Sequence, residues 1–272
     1  MAKYKYVMNE KRIAKRIAEG RGSGEGAEFK PFLTIRDVSS RGGRSRVLGA
    51  KTGRVHHLLS DLEARAFYEM EWDDLVVDIR EQVPLPRDVT RRIADGLGVR
   101  HPRIPKSDVD AVMTTDFVFD RREGEDIRRR PVFVKYECDL QNPRVQQKLK
   151  IERRYWALQG FELEEWTEER LPKVRGDNLQ WLHAMHHLDD CPYPRAGHWR
   201  KRGDELLHFL RRCPQQSSIS KVIDGAEKSG IFGAGEVVSL IRYLGWRKVV
   251  MIDPDRGFDA RRPVSSLGVV PA

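Results

Sequence analysis

Apolar positions along the chain fall into two regimes. Up to about residue 170, short runs of β-branched and aromatic residues alternate with helical patterns. Beyond it, helical patterns dominate. Residues 55–71, VHHLLSDLEARAFYEME, predict a helix, and Ser60 and Glu63 supply the S-x-x-E box of a helix start. Residues 75–85, LVVDIREQVPL, open with a β-branched run and end at proline, which predicts a strand. Residues 86–110 carry prolines at 86, 102 and 105 and predict mainly loop, with room for a short helix. Residues 111–119 and 131–138 predict two further strands around the turn material RREGED. Residues 142–159 predict the clearest helix, with Asn142 as its cap and Pro143 in its first turn. Within it Val145, Leu149, Glu152 and Trp156 share a face. Glu152 is thereby placed on an apolar stripe, where a carboxylate needs a partner such as Lys148 or a place in a polar site. GFELEEW predicts a last short strand.

The segment LPKVRGDNLQ marks a change of character and predicts a linker. Helical stretches follow at 178–188, 203–212, 217–229 and 234–244, and WRKVVMID closes them with a β-like piece. Three short helices and a small strand predict a winged-helix-like module. The expected division is therefore residues 1–169, an α/β domain, and residues 170–272, a mainly helical one. Near the start, Ile13 and Ile17 lie four apart in a basic amphipathic helix. The glycine-rich GRGSGEGAE at 20–28 matches neither GxGxxG nor GK[ST] and predicts a flexible connector.

Composition narrows the function. The chain has 272 residues, 39% hydrophobic and 33% charged, with a formal net charge of +9. Such an excess suits a polyanionic partner, because lysines and arginines that displace condensed counterions drive nucleic-acid binding. No apolar run approaches the ~20 residues of a membrane span, and no signal-peptide core opens the chain, so a cytoplasmic, bacterial-cytosol setting without membrane is expected. Cys138, Cys191 and Cys213 are odd in number and scattered, so neither a zinc site nor a disulfide framework is indicated. Basic side chains gather in 39–54, at Arg41, Arg44, Arg46, Lys51 and Arg54, and again in 192–202. Residues 39–54 read equally as a solvated loop or as an arm that grips DNA phosphates, and 192–202 reads as a second basic loop on the DNA backbone.

The chemistry lies in an order of residues. Glu63 on a helix is followed by Asp116 opening an apolar strand, and then by Lys135 inside a second apolar run. Two carboxylates can hold a hard cation, Mg²⁺ with Mn²⁺ as a substitute, against a phosphodiester. A lysine then orients water or neutralises the charge of the transition state. Each residue also has a plain structural role available. Glu63 can cap its helix, Asp116 can cap a strand edge with Thr115, and Lys135 can be an exposed strand lysine.

The segments KTGRVHHLLSDLE, VVDIREQVPL, HP, VMTTDFVFD, VK and ERRYW, in this order, resemble the TnsA family, the transposon-end endonucleases of Tn-seven-type elements. The resemblance spans roughly residues 10–185. It implies a restriction-endonuclease-like N-terminal domain and a winged-helix-like C-terminal one. It implies metal-dependent nicking at the 5′ ends of a transposon, beside a TnsB-type DDE transposase and a TnsC-type ATPase regulator. Carried over by position, the catalytic set is Glu63, Asp116 and Lys135, with Glu152 near the site. Phe133 departs from the pattern, because restriction-like nucleases carry an acid at that place and this family commonly glutamine. Glu63, Asp116 and the backbone carbonyl of Val134 are then the expected metal ligands. Glu137, on the strand face of Lys135, and Glu152 are further carboxylates on offer. Two rival readings remain: a non-catalytic factor bridging transposase, DNA and regulator, and a stand-alone restriction enzyme that needs no partner.

Overall fold

The computed structural model describes residues 8–37, 43–105 and 107–269. The chain divides into two compact units, residues 1–172 and 173–272. The first is mixed α/β, consistent with the restriction-endonuclease-like expectation. Helix α1 (Glu10–Ala18) buries Ile13 and leaves Ile17 exposed. Strands β1 (Ser45–Leu48) and β2 (Val55–Leu58) form an antiparallel hairpin that runs directly into helix α2 (Asp61–Trp72). The four-stranded sheet has the order β3-β4-β5-β6, with β3 Val76–Pro84, β4 Thr114–Glu123, β5 Asp126–Val134 and β6 Glu164–Trp166. The first three strands pair antiparallel, whereas β5 and β6 are parallel. A parallel pair needs a crossover, and α4 (Glu137–Leu140) and α5 (Pro143–Leu158) supply it. Helix α3 (Arg87–Gly96) joins α5 over a core of Leu85, Ile93, Val118, Leu149 and Trp156.

Local chemistry sets the joints. Asn142 caps α5 by accepting from the Arg144 N–H at 2.8 Å, with Pro143 in the first turn. Gly124, at φ 66, turns β4 into β5. The glycine-rich segment is ordered rather than a free connector. Gly22 has φ 86, and a Cβ there would lie 2.1 Å from Pro84 Cγ. The Gly26 N–H donates to Asp78 Oδ1 at 3.2 Å.

Besides RREGED, whose residues mostly extend β4 and β5, three boundaries differ from the sequence expectations. Residues 55–58 are β2 and not helix, and the second half of the basic 39–54 loop is the hairpin itself. The reason is Glu81, fully buried on β3. The guanidinium of Arg54 donates to it through Nη1 at 2.9 Å and to the Ile79 carbonyl through Nη2 at 2.9 Å. His56 Nδ1 meets the Glu81 carboxylate at 2.8 Å, and the His57 N–H donates to it at 3.0 Å. An extended β2 presents all of these donors to one carboxylate. The second difference is β5, which stops at Val134. The Lys135 N–H still bonds the Trp166 carbonyl at 3.1 Å, and the chain then turns through Tyr136 into α4. The third lies in the second unit. The expected linker is helix α6 (Lys173–His183), followed by α7 (His198–Arg212), α8 (Ile219–Lys228) and α9 (Glu236–Trp246). These close over Leu206, Leu210, Val237, Leu240, Ile241 and Tyr243. WRKVVMID forms no strand. Lys248 takes φ 57, and the N–H groups of Val249 and Val250 both return to the Leu244 carbonyl, so the chain folds back on α9 instead of extending.

Burial alone would push the Glu81 carboxyl up, but the charges and hydrogen bonds of His56 and Arg54 outweigh it and hold the group down at about 2. A folded value below the ordinary 4.5 contributes stability that is complete above about pH 4.5 and is lost as pH falls toward 2. Glu81→Ala strands Arg54 without its anion and is expected to cost about 3–5 kcal/mol in urea unfolding at pH 7. That loss should shrink as the wild type is titrated from pH 4.5 toward pH 2. A loss under about 1 kcal/mol would show that the hairpin is held by other means.

Candidate active site

Three elements converge through their polar residues: the start of α2, the start of β4 and the middle of α5. Ser60 Oγ accepts from the Glu63 N–H at 3.1 Å and donates to Glu63 Oε1 at 3.1 Å. Glu63 Oε2 accepts from the Leu59 N–H at 3.0 Å. Ser60 therefore caps α2, while Glu63, 7% exposed, reaches back to the Leu59 N–H and the Ser60 hydroxyl rather than to the Ser60 N–H of a full capping box. Those bonds do not settle its charge. Burial first, and then the neighbouring Asp116 charge, push its carboxyl up to about 8, against the hydrogen bonds of Leu59 and Ser60 and the charge of Lys135.

Asp116 stands in the third residue of β4. Its Oδ2 accepts from the Val134 N–H at 2.8 Å and its Oδ1 from Gln82 Nε2 at 3.3 Å. Burial raises this carboxyl as well, opposed by the Val134 N–H, the Lys135 ammonium and Gln82. Lys135, just past the end of β5, thus acts on both acids. Trp156 Nε1 donates to Thr115 Oγ1 at 2.8 Å and ties α5 to the start of β4. One turn back on that helix, Glu152 is 3% exposed, and its Oε1 has no hydrogen-bond partner. Burial and then the Asp116 charge raise it well above the ordinary range. Thr115 opposes that rise by a hydrogen bond, and Lys148 is not among the groups that act on it.

The other expected residues separate. Phe133 packs in the core that Leu85, Leu149 and Trp156 form. Glu137 is not on the strand face of Lys135, because β5 has already ended. It opens α4, exposed, with its N–H donating to Glu168 Oε2 at 2.8 Å. Among the basic residues, Arg46 is exposed on β1, and Lys51 sits half-buried in the hairpin turn. Arg44 is half-buried and donates to the Ile35 carbonyl at 2.8 Å. Arg54 is buried on Glu81 and has no guanidinium to offer a phosphate, which corrects its assignment to DNA. Arg41 lies outside the described residues. Gln82 was not foreseen. The signal was there, in two polar residues, Glu81 and Gln82, inside a strand-like run.

Among the described residues no three His, Cys, Asp or Glu side chains are placed to cage a metal ion. Mg²⁺ does not require that, since one or two carboxylates suffice with waters completing the shell. Desolvated acids that repel each other and a buried carboxylate oxygen without a partner suit a hard cation, and the oxygen-only donor set suits it too.

Comparison with known proteins shows the family. The family described as TnsA-like endonuclease N terminal matches residues 73–168, and TnsA endonuclease C terminal matches residues 171–253. The chain is 43% identical over 185 residues to the transposon Tn7 transposition protein TnsA of Escherichia coli, covering 68% of this chain and 67% of that protein. The chain belongs to the TnsA endonuclease family. The acid-acid-lysine order therefore sits in a chain whose family is one of nucleases, and both matched parts are present in sequence.

Glu63 has two roles on offer, cap and ligand, and they separate in Glu63→Gln. Glutamine also closes a capping box, so the variant should unfold within about 1 kcal/mol of wild type while losing DNA cleavage. Cleavage at the wild-type rate would leave Glu63 as a cap alone.

Proposed function

We propose that this chain, an endonuclease subunit of a transposase, nicks the 5′ ends of a transposon by metal-dependent hydrolysis, leaving 5′-phosphate and 3′-hydroxyl. The observation that carries the reading is the raised pair Glu63 and Asp116, with the Lys135 charge acting on both. Glu63, Asp116 and the carbonyl of Val134 hold Mg²⁺, or Mn²⁺ in its place, with Glu152 alongside. The bound cation supplies Lewis-acid polarisation of the phosphodiester and a water of lowered pKa. Lys135 neutralises charge that develops on the phosphoryl oxygens. The Val134 N–H keeps Asp116 aimed at the site, and Phe133 contributes packing, so an acid at that position is not needed.

Arg44, Arg46 and Lys51, on a β-hairpin that leads straight into the Glu63 helix, are the proposed grip on the DNA backbone. The exposed Arg46 is its most accessible member. Transposon ends, a TnsB-type DDE transposase and a TnsC-type ATPase regulator are the proposed partners, with the helical unit as the docking half for the regulator. That unit is read as winged-helix-like on the strength of α7, α8 and α9. The only sheet-like pairing among its described residues is the bridge Ser218–Pro263. No helix among the described residues is long and apolar enough to cross a membrane. The bacterial cytosol is the proposed setting.

Lys135→Ala removes a charge at the edge of the site without opening the core. It should cut 5′-end nicking by about 100–1,000-fold on end-labelled transposon DNA with the transposase present, while the assembled complex still runs as one species. Nicking at the wild-type rate would remove Lys135 from the chemistry. A wild type that assembles but never nicks would turn the reading to the non-catalytic bridging factor.

A further inference from the structure

Gln82 lies on β3 opposite Asp116, since the register pairs Glu81 with Phe117 and Val83 with Thr115. It is 2% exposed and takes φ 50, a left-handed conformation that a glutamine in a strand has no intrinsic reason to adopt. Residues in such conformations persist where their surroundings over-determine them, and they gather at functional sites. Three contacts hold this one. Its carbonyl accepts from the Phe32 N–H at 3.2 Å. Its Oε1 accepts from Thr114 Oγ1 at 2.9 Å, and its Nε2 donates to Asp116 Oδ1 at 3.3 Å. A glycine would satisfy the backbone without strain. What glycine cannot supply is the amide.

The amide has a defined task. Asp116 Oδ2 already takes the Val134 N–H, which leaves the carboxylate free to swing about that contact. A donor on Oδ1 from the neighbouring strand fixes the carboxylate plane and leaves lone pairs on both oxygens for a further ligand. A neutral donor suits this better than Arg or Lys, because it orients the acid without competing for its charge. The acceptor-only Asp116 carboxylate selects the Nε2 end of the amide, and Thr114 Oγ1 holds the other end by donating to Oε1. The reversed end would set Oε1 against a carboxylate oxygen.

We propose that Gln82 is a positioning residue whose amide, held by Thr114, orients the Asp116 carboxylate for a divalent cation. This rests on the reading that Asp116 holds such a cation. Supporting groups one step removed from a metal typically change its affinity by about 10–100-fold when lost.

The test is Mn²⁺ binding by isothermal titration calorimetry on the full chain at one fixed pH, beside a thermal melt of each protein. Gln82→Met keeps the length and removes the donor. Gln82→Gly removes the donor and relieves the backbone. Both should bind Mn²⁺ about tenfold or more weakly than wild type, with melting temperatures that do not fall in step, and Asp116→Ala should show no binding. The glycine variant carries the same expectation should the methionine variant fail to fold. Wild-type affinity in both variants, or in the glycine variant alone, would overturn the role of the amide and leave the cation reading standing. A wild type without measurable Mn²⁺ binding would overturn both.

Discussion

Glu63 and Glu152 are buried and each feels the charge of Asp116, and the first unit is built to keep them there. A desolvated acid is ordinarily neutralised by a partner, and the same unit shows how that is done. Glu81, fully buried, is surrounded by Arg54, His56 and the His57 N–H and stays ionised. Glu63 is nearly as buried and has hydrogen bonds of its own, yet its carboxyl is pushed the other way, to about 8. The two glutamates differ in what faces them. Glu81 faces cations, and Glu63 faces Asp116. The first arrangement holds a hairpin on a sheet. The second leaves two carboxyls that resist ionising together, although Lys135 and the hydrogen bonds of Leu59, Ser60, Val134 and Gln82 favour their charged forms.

Phe133 is accounted for by the same layout. Its half-buried side chain packs against the core of Leu149 and Trp156, while the next residue aims its N–H at Asp116 Oδ2. At the end of β5 it is the backbone, and not the side chain at 133, that meets the site. A strand that contributes main chain can carry an apolar residue where an acid is usual. The hairpin β1–β2, pinned by Arg54 and His56 to Glu81, then fixes where α2 begins, and so where Glu63 stands.

Much of this could be read from the sequence. The Asn142-Pro143 start of α5 and the Ser60 cap of α2 are local patterns with local causes, and both form at their expected places. The acid-acid-lysine order was legible because few structural needs place those residues in apolar runs. What could not be read depends on distant partners. Arg54 looks like any arginine of a glycine-rich basic loop until Glu81 closes on it, and 55–58 looks helical until the same carboxylate draws it out as a strand. Glu137 was placed by extending a strand past its end, and a one-turn helix breaks that parity. Gln82 acquires meaning only when β3 and β4 are in register. WRKVVMID carries strand propensity that its return onto Leu244 overrides.

The central claim is that Glu63 and Asp116, whose joint ionisation burial disfavours, are placed there for a cation. Anomalous X-ray diffraction from crystals soaked in Mn²⁺ tests it directly. The account predicts a manganese peak bonded to oxygens of both Glu63 and Asp116 and to the carbonyl of Val134. A crystal with ordered Glu63 and Asp116 side chains and no peak between them, at saturating Mn²⁺, would contradict it.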